Sequence, residues 1–305
     1  MMNQKVIIIG GSGFVGNNLS KRLAFQGHAS WITTRKIGDV ERIEEKNLLA
    51  KSYYVKEYSA STLNELMKTF TPDDVVINLV GVLHSSQGVP YGPEFAKAHV
   101  ELPQMIMQAM KHNGLTRYIH MSALGADING PSMYLRSKGV AESFVKESGL
   151  DWTIFRPSVI FGNNDNFINM FGKLQKYFPV MPLAGGDNLF QPVAVKDVSE
   201  AFIKAITMPQ TIHQSYDLAG PEVLTLAQII QFAAKKAGLK RPIIPLPAWM
   251  GYVQALLLEH LPGPTIMSRD NLDSMKVPSI LSAGQPNALS EVFGITPTPL
   301  ESLLN

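Results

Sequence analysis

The chain contains no cysteine among its 305 residues. Disulfides, thiolate-held iron–sulfur clusters and a catalytic thiol are therefore excluded, and any redox chemistry must come from a bound cofactor. A large excess of charge is also lacking, because 27 Lys and Arg stand against 25 Asp and Glu and give a net charge of +2. Since no basic block of the kind that follows a phosphate backbone is present, we expect no nucleic-acid partner.

A long hydrophobic run is missing too. Three prolines interrupt the first part of the longest uncharged stretch, Pro242 to Leu258, so that only Ala248 to Leu258 can form a continuous helix. A helix of that length does not span a bilayer. The first predicted strand begins within a few residues of Met1, which leaves no space for a signal or transit peptide, and we therefore expect a cytoplasmic protein.

A short β-branched run followed by a glycine turn, Lys5 to Gly16, stands almost at the start of the sequence. Its glycines recur at every third residue, and the apolar residues that follow fit one face of a helix. Such glycines let the backbone approach a pyrophosphate, which the N–H groups of the helix N-terminus then face. The strand–turn–helix context favours a dinucleotide site over a plain turn. The predicted cofactor contacts are Gly10, Gly13, Phe14, Val15 and Gly16.

The end of the second predicted strand, His28 to Arg35, bears on the choice of nucleotide. An acidic residue about twenty positions beyond the glycines binds the ribose hydroxyls of NAD, whereas an arginine there suits a 2′-phosphate. Arg35 and Lys36 stand at this place, and the next acid is Asp39. Because a guanidinium forms strong charge-assisted contacts with phosphate, we expect NADP(H) rather than NAD(H). The alternative is a solvated Arg–Lys pair at a strand end.

Strands alternating with helices predict an α/β fold with a Rossmann-type, doubly wound parallel sheet. Val75 to Gly81 has the composition of a fully buried strand of this sheet. Ligands bind beyond the carboxyl ends of such strands, so the residues expected beside the cofactor are Leu79, Val80 and Gly81. The following loop, Val82 to Pro93, carries His84 and is consistent with a border of the substrate pocket or with an ordinary surface loop.

Three residues form a candidate site for carbonyl reduction without a metal. Ser122 ends the fifth predicted strand, and Tyr134 and Lys138 follow one helical turn apart on the same helix face. Free tyrosine has a pKa of about 10 and shuttles protons poorly at neutral pH unless a cation stabilises the phenolate. Lys138 would supply that cation and bind the nicotinamide ribose, Tyr134 would exchange the proton, and Ser122 would hold the substrate oxygen. The order of glycine turn, serine and Tyr–Lys pair favours this site over a chance pair.

Several segments together resemble the atypical and extended short-chain dehydrogenase/reductases, in particular those related to the nucleotide-binding accessory subunit of respiratory complex I. The segments that carry the resemblance are the glycine turn, Ser122 to Ala126, Tyr134 to Lys138, Trp152 to Ser158, Phe161 to Phe167, Gln191 to Val198 and Tyr216 to Thr225. The resemblance implies a Rossmann-type core that binds NADPH or a related dinucleotide, with Pro157 and Ser158 near the nicotinamide. At one position, many relatives have an asparagine that helps organise a proton relay in active members, and this chain has His99.

Beyond Phe161 the strict alternation of strands and helices ends, which predicts a smaller substrate lobe. We expect residues 1–158, with returning segments in 188–220, to form the dinucleotide-binding domain, and 159–187 with 221–305 to form the smaller lobe. Asp165 and Asp187 have no histidine at ligand spacing beside them. Turn and cap roles are therefore favoured for both aspartates over a metal pair, and we expect no metal site.

The segment 248–260 predicts a helix with a broad apolar face. The residues of that face are Trp249, Tyr252, Val253, Leu256 and Leu257. We expect the face to pack against the smaller lobe. The alternative is a contact with a membrane surface or a respiratory complex, because the polar side of the segment is weak for a solvated helix.

Three functions from different classes fit these features. Tyr134 and Lys138 favour an NADP(H)-dependent oxidoreductase acting on a small carbonyl, alcohol or quinone-like substrate. The family resemblance favours an accessory or assembly protein in which NADPH is a structural ligand that stabilises the fold. A sugar-nucleotide epimerase or dehydratase uses the same core but needs a basic pair for a second diphosphate. The basic residues of the smaller lobe are scattered, namely Lys173, Lys176, Arg241 and Arg269.

Overall fold

The computed structural model describes residues 4–165, 167–260, 265 and 267–304. Its central strands are β1 (Val6–Ile9), β2 (Ser30–Thr34), β3 (Ala50–Tyr54), β4 (Val75–Asn78), β5 (Arg117–Met121), β6 (Asp151–Pro157) and, later in the chain, β11 (Gln214–Leu218). They form one seven-stranded parallel sheet in the order β11-β6-β5-β4-β1-β2-β3. The order reverses between β4 and β1, the place where doubly wound sheets bind ligands. The predicted Rossmann-type fold is confirmed.

Helices cover both faces of the sheet. In chain order the helices are α1 (Phe14–Phe25), α2 (Gly38–Lys46), α3 (Ala60–Met67), α4 (Pro93–Phe95), α5 (Leu102–His112), α6 (Met133–Lys146), α7 (Phe167–Tyr177), α8 (Val195–Thr207), α9 (Leu226–Lys236), α10 (Ala248–Glu259), α11 (Arg269–Ser274) and α12 (Ala288–Glu291). A π-helical stretch, Ala96–Glu101, joins α4 to α5. The sequence did not predict α2, because Ile43 is its one buried residue and gives no periodic signal.

The side chains of β1 alternate between two cores, as expected of a strand covered on both faces. Val6 and Ile8 pack into the core under α1 and α8, whereas Ile7 and Ile9 pack into the core under α3, α5 and α6. Every residue of β1 and β4 is buried. This burial fixes the carboxyl ends of the two strands, and with them the start of the glycine turn.

Short strands and the later helices form a second layer of structure. The remaining strands are β7 (Ile160–Phe161), β8 (Met181–Ala184), β9 (Leu189–Phe190), β10 (Val193–Ala194), β12 (Leu224–Thr225) and β13 (Ile243–Leu246). They form three two-stranded sheets, β10–β7, β12–β9 and β13–β8. We call the part built from α7, β8, β9, β12, α9, β13, α10 and α11 the smaller lobe. Thr225 begins α9 with a capping box, which confirms the predicted cap.

Helix α10 packs on the smaller lobe through small residues, so the prediction for its large apolar residues is wrong. Its buried residues are Gly251 and Ala255, and a Cβ on Gly251 would lie 2.3 Å from Cβ of Ala184. Tyr252 also turns inward and donates a hydrogen bond to Asp273 (2.6 Å). The side chains that are 39 to 67% exposed are those of Trp249, Val253, Leu256 and Leu257. Apolar residues of α10 itself occur around its whole circumference, so their pattern did not identify its buried side.

Asp165 has the predicted cap role. Its Oδ1 accepts a hydrogen bond from the Ile168 N–H (2.6 Å) at the start of α7, whereas Asp187 is exposed in a turn. Asn166, which we placed in the loop before α7, lies outside the described residues. In the part of the chain that the structure describes, no group of three or more His, Asp or Glu could hold a metal ion. None of the described helices combines the length and hydropathy that a membrane span needs.

Candidate functional site

The glycine turn lies at the carboxyl end of β1 and opens α1. Gly10 has a φ of +82°, which favours glycine, and a Cβ there would lie 2.9 Å from Cγ2 of Val80. Gly16 packs against Gly11 so closely that a Cβ on Gly16 would come within 2.4 Å of the Gly11 Cα. No described side chain caps α1, and its first turn contains no acid. The N–H groups of that turn are therefore available to an anion.

Arg35 follows β2 beside this turn, and its side chain is exposed. Thr33 Oγ1 accepts a hydrogen bond from the Gly10 N–H (3.1 Å) and lies 2.7 Å from the hydroxyl of Tyr58. Burial raises the pKa of Tyr58, and the charge of Arg35 opposes that effect, which places the guanidinium near the pair. Lys36 is exposed as well. The predicted 2′-phosphate residues therefore lie at the same edge of the sheet as the glycine turn.

Lys138 and Ser122 lie together beyond the ends of β4 and β5. Lys138 Nζ donates a hydrogen bond to the carbonyl oxygen of Met121 (3.2 Å), and a Cβ on Gly81 would lie 3.5 Å from the same nitrogen. Burial lowers the pKa of Lys138 to about 8, against the opposing charge of Glu142. Ser122, the residue after Met121, has a buried Oγ with no hydrogen-bond partner among the described residues. The ammonium thus binds the residue that immediately precedes the unpaired hydroxyl.

Tyr134 precedes Lys138 by one turn of α6. Its ring packs edge-on against the rings of Phe95 and His99, with centroid distances of 5.9 and 5.5 Å. Burial raises the pKa of Tyr134 to about 12, and the opposing effect that we expected from Lys138 does not accompany it. The phenol is therefore protonated at neutral pH and can act as a proton donor.

His99 occupies the π-helical stretch and has both ring nitrogens engaged. Nε2 accepts a hydrogen bond from the Val82 N–H (3.0 Å), so Nδ1 carries the proton and donates to Ser137 Oγ (2.8 Å). The Ser137 hydroxyl in turn donates to the carbonyl oxygen of Tyr134 (2.8 Å). Burial, together with the charge of Lys138, lowers the pKa of His99 well below its usual range. His99 is therefore neutral and supports the helix that carries Tyr134.

Asp270, in the smaller lobe, completes the start of α6. Its Oδ1 accepts a hydrogen bond from the Met133 N–H (2.6 Å), and its Oδ2 accepts one from the Tyr134 N–H (3.1 Å). Ser132 Oγ caps the same turn by accepting from the Leu135 N–H (3.1 Å). Sequence reasoning missed Asp270, because no local pattern links it to a helix 136 residues earlier in the chain.

The loop after β4 is attached to the same region. The Val82 N–H is bound to His99, and Asn271 Nδ2 donates to the carbonyl oxygen of Leu83 (3.4 Å). Hydrogen bonds from the hydroxyl of Ser85 (2.7 Å) and from the N–H and hydroxyl of Ser86 (both 2.9 Å) lower the pKa of Glu94 to about 2. These contacts hold the loop against α11 and the π-helical stretch.

The other residues predicted beside the cofactor differ in their surroundings. β4 ends at Asn78, so Leu79, Val80 and Gly81 lie after the strand and not at its end as predicted. Pro157 ends β6. The hydroxyl of Ser158 donates to the carbonyl oxygen of Ser279 (2.7 Å), so this side chain is engaged within the protein.

The sequence is similar to those of several known proteins. Residues 6–219 match the family model described as NAD dependent epimerase/dehydratase family. The mouse protein NADH dehydrogenase (ubiquinone) 1 alpha subcomplex subunit 9, mitochondrial, is 28% identical over 96% of this chain and 77% of its own length. The NAD(P)H azoreductase of Xenophilus azovorans is 22% identical over 96% of this chain and 87% of its own.

Solved structures show the same fold. The UDP-glucose 4-epimerase of Thermus thermophilus in complex with NAD superimposes with a TM-score of 0.68 at 18% identity. The match covers 90% of this chain and 99% of the epimerase chain.

Proposed function

The chain belongs to the NAD dependent epimerase/dehydratase family, and on that premise we propose that it is an NADP(H)-dependent oxidoreductase for a small carbonyl, alcohol or quinone-like substrate. One observation carries the proposal. The buried Lys138 ammonium, one helical turn from Tyr134, binds the carbonyl oxygen of Met121, and the next residue, Ser122, has a buried hydroxyl without a partner among the described residues. A buried polar atom without a partner is costly, and a substrate oxygen would satisfy it.

The residues present fit a dinucleotide. A Cβ at Gly10 would meet Val80, and a Cβ at Gly16 would meet Gly11, so the turn requires glycine at both positions. Glycine has no side chain, and the backbone of the turn is therefore accessible to a pyrophosphate. Arg35 and Lys36 would bind a 2′-phosphate. Asp39, the acid nearest to the ribose position in the sequence, pairs with Arg42 (2.7 Å) and is not free to select NAD. These contacts support NADP(H) over NAD(H).

The bound nicotinamide would supply or accept the hydride. Lys138, whose pKa of about 8 leaves it mostly charged at neutral pH, would bind the nicotinamide ribose. The Ser122 hydroxyl would orient the substrate oxygen, and the protonated Tyr134 would donate its proton as negative charge develops there. Because both nitrogens of His99 are engaged, Lys138 is the nearby group suited to exchange that proton again.

A second candidate function rests on the same observation about His99. If the proton cannot be replaced rapidly, NADPH would remain bound as a structural ligand and stabilise the fold by mass action. The mouse relative is named as a subunit of NADH dehydrogenase, which favours an accessory protein of a respiratory complex. The epimerase or dehydratase alternative is less supported, because Arg269 binds Glu259 (3.0 Å) instead of remaining free for a second diphosphate.

Two further points belong to the proposal. We retain the division into a dinucleotide-binding domain (1–158 with 188–220) and a second domain (159–187 and 221–305) that contains the smaller lobe apart from β9, and limited proteolysis would test it. We also retain a cytoplasmic location, which cell fractionation would test.

The experiment that tests the function uses the purified chain and the variant Tyr134→Phe. Thermal-shift titrations with NADPH, NADH, NADP and NAD measure binding, and the nicotinamide absorbance then measures oxidation of NADPH by a panel of carbonyls and quinones. We expect Tyr134→Phe to bind NADPH normally and to oxidise it at least 100-fold more slowly, since a positioned proton donor contributes about 10² to 10⁴. Tyr53→Phe, on β3, is the matched control.

The outcomes separate the two candidates. Equal oxidation rates in Tyr134→Phe and the unmodified chain would contradict the assigned role of Tyr134. Tight NADPH binding without oxidation by any substrate of the panel would instead support the accessory protein.

A further inference from the structure

The smaller lobe has an unusual concentration of exposed apolar side chains. Nine of the 20 large hydrophobic residues that are exposed in the described chain lie in two short segments, 177–180 and 244–257. We call these nine residues the apolar surface: Tyr177, Phe178, Val180, Ile244, Trp249, Met250, Val253, Leu256 and Leu257. Contiguous exposure of this kind marks a contact surface, whereas single exposed apolar residues are normal.

The two segments lie beside each other in the fold. β13 pairs in parallel with β8, and the Met181 N–H donates a hydrogen bond to the carbonyl oxygen of Pro242 (2.9 Å). Arg241 Nε donates to the carbonyl oxygen of Gln175 near the end of α7 (3.0 Å). Helix α10 then packs on β8 through Gly251, which leaves its large residues on the opposite side.

Basic residues predominate in the two segments that carry the apolar surface. Segments 167–186 and 223–258 contain six of the 27 basic residues of the chain and none of its 25 acids. The six cations are Lys173, Lys176, Lys235, Lys236, Lys240 and Arg241. None of them forms a salt bridge with another described residue. Of the acids that adjoin these segments, Glu259 and Asp273 are paired with Arg269 and Lys276, and Asp187 is exposed.

We propose that the apolar surface docks on an anionic lipid bilayer. Leucine, valine and tryptophan side chains of a short surface helix enter the boundary between head groups and acyl chains, where tryptophan and tyrosine are favoured. Lysine and arginine residues beside them attract anionic head groups. A bilayer explains the cluster of cations without salt bridges and the aliphatic face together. This contact is independent of the nucleotide chemistry, because no residue of the apolar surface belongs to the candidate site.

The test measures binding of the full chain to vesicles by co-sedimentation. We expect binding to phosphatidylcholine vesicles that contain phosphatidylglycerol, weak binding to phosphatidylcholine alone, and release by salt. The double variant Lys176→Glu with Lys240→Glu should weaken binding at least 25-fold, because each basic residue near the surface contributes about five-fold. Lys46→Glu with Lys111→Glu, on the other part of the chain, is the matched control and should bind nearly as tightly as the unmodified chain.

A second pair of variants tests the apolar contact. Leu257→Ser should weaken vesicle binding about ten-fold or more, whereas Leu48→Ser, at a leucine that is 93% exposed outside the lobe, should not. The NADPH-induced thermal shift of every variant shows that the fold is intact, and it fails separately if the proposed nucleotide site is wrong.

Three results would overturn the proposal. The first is equal binding to vesicles with and without the anionic lipid, and the second is equal effects of Leu257→Ser and Leu48→Ser. The third is the absence of vesicle binding combined with a self-associated species, seen by light scattering, that Leu257→Ser dissociates. That result would assign the apolar surface to a protein interface.

Discussion

Replacing Asp270 by alanine should destabilise the protein and displace Tyr134. The substitution removes the acceptors of the Met133 and Tyr134 N–H groups, at a residue that is 4% exposed. Each buried N–H left without a partner costs about 1 to 3 kcal/mol, so the two together cost about 2 to 6 kcal/mol. For a chain of 305 residues, an unfolding entropy of about 2.1 cal/mol/K per residue converts each kcal/mol into about 1.5 °C. We therefore expect the Tm to fall by about 3 to 9 °C.

The assay combines calorimetry with turnover. Asp270→Asn keeps one carbonyl oxygen and should fall between the alanine variant and the unmodified chain in Tm. If the chain oxidises NADPH, both variants should lower kcat more than they raise the KM for NADPH, because the backbone of Tyr134 loses its anchor while the glycine turn is untouched. Asp187→Ala, at an exposed acid in a turn, is the matched control and should change stability by less than about 0.5 kcal/mol.

Two results would refute this reasoning. One is a Tm for Asp270→Ala equal to that of Asp187→Ala, which would mean that water or another group satisfies the two N–H groups. The other is a full loss of NADPH binding in Asp270→Asn at an unchanged Tm, which would place Asp270 in the nucleotide site itself.

Other predictions concern acid stability, nucleotide choice and backbone packing. Burial lowers the pKa of His120 to about 3, so the unfolded chain, with a histidine pKa of about 6.5, binds more protons below pH 6.5. Stability should therefore fall with pH below about 6.5 by up to about 1.4 kcal/mol per unit from this residue, and urea titrations of His120→Gln should show a smaller slope. Arg35→Ala should weaken NADPH at least ten-fold more than NADH in calorimetric titrations, and equal losses would contradict the 2′-phosphate contact. Gly16→Ala should lower the Tm and abolish the nucleotide-induced shift because its Cβ would meet Gly11, whereas Gly38→Ala, with open space around it, should do neither.

The sequence predicts the parts of the fold that repeat a local pattern. The runs of Val and Ile in β1 and β4 specify buried strands. The glycines between β1 and α1 specify a turn that is found in few other kinds of structure. Tyr134 and Lys138 reveal their shared face because the period of a helix is fixed. The Rossmann-type sheet and the family follow from these features.

Contacts between distant segments leave no such pattern. The carboxylate of Asp270 reaches α6 through tertiary packing, and the sequence around it signals nothing more than the capping box of α11. The sequence shows that His99 stands where many relatives have an asparagine. The tautomer of its ring, however, depends on Val82 and Ser137, which the fold brings to it. Helix α10 is apolar around its circumference, so only the small size of Gly251 and Ala255 shows where it meets β8.

The six cations beside the apolar surface give the molecule an uneven distribution of charge. With a net charge of only +2, the chain would be expected to bind weakly to any ion exchanger near neutral pH. These cations, which form no salt bridge with another described residue, should instead hold it on a cation-exchange resin through that surface. The same uneven charge orients the molecule as it diffuses toward any negative surface, so that the apolar surface meets the negative surface first.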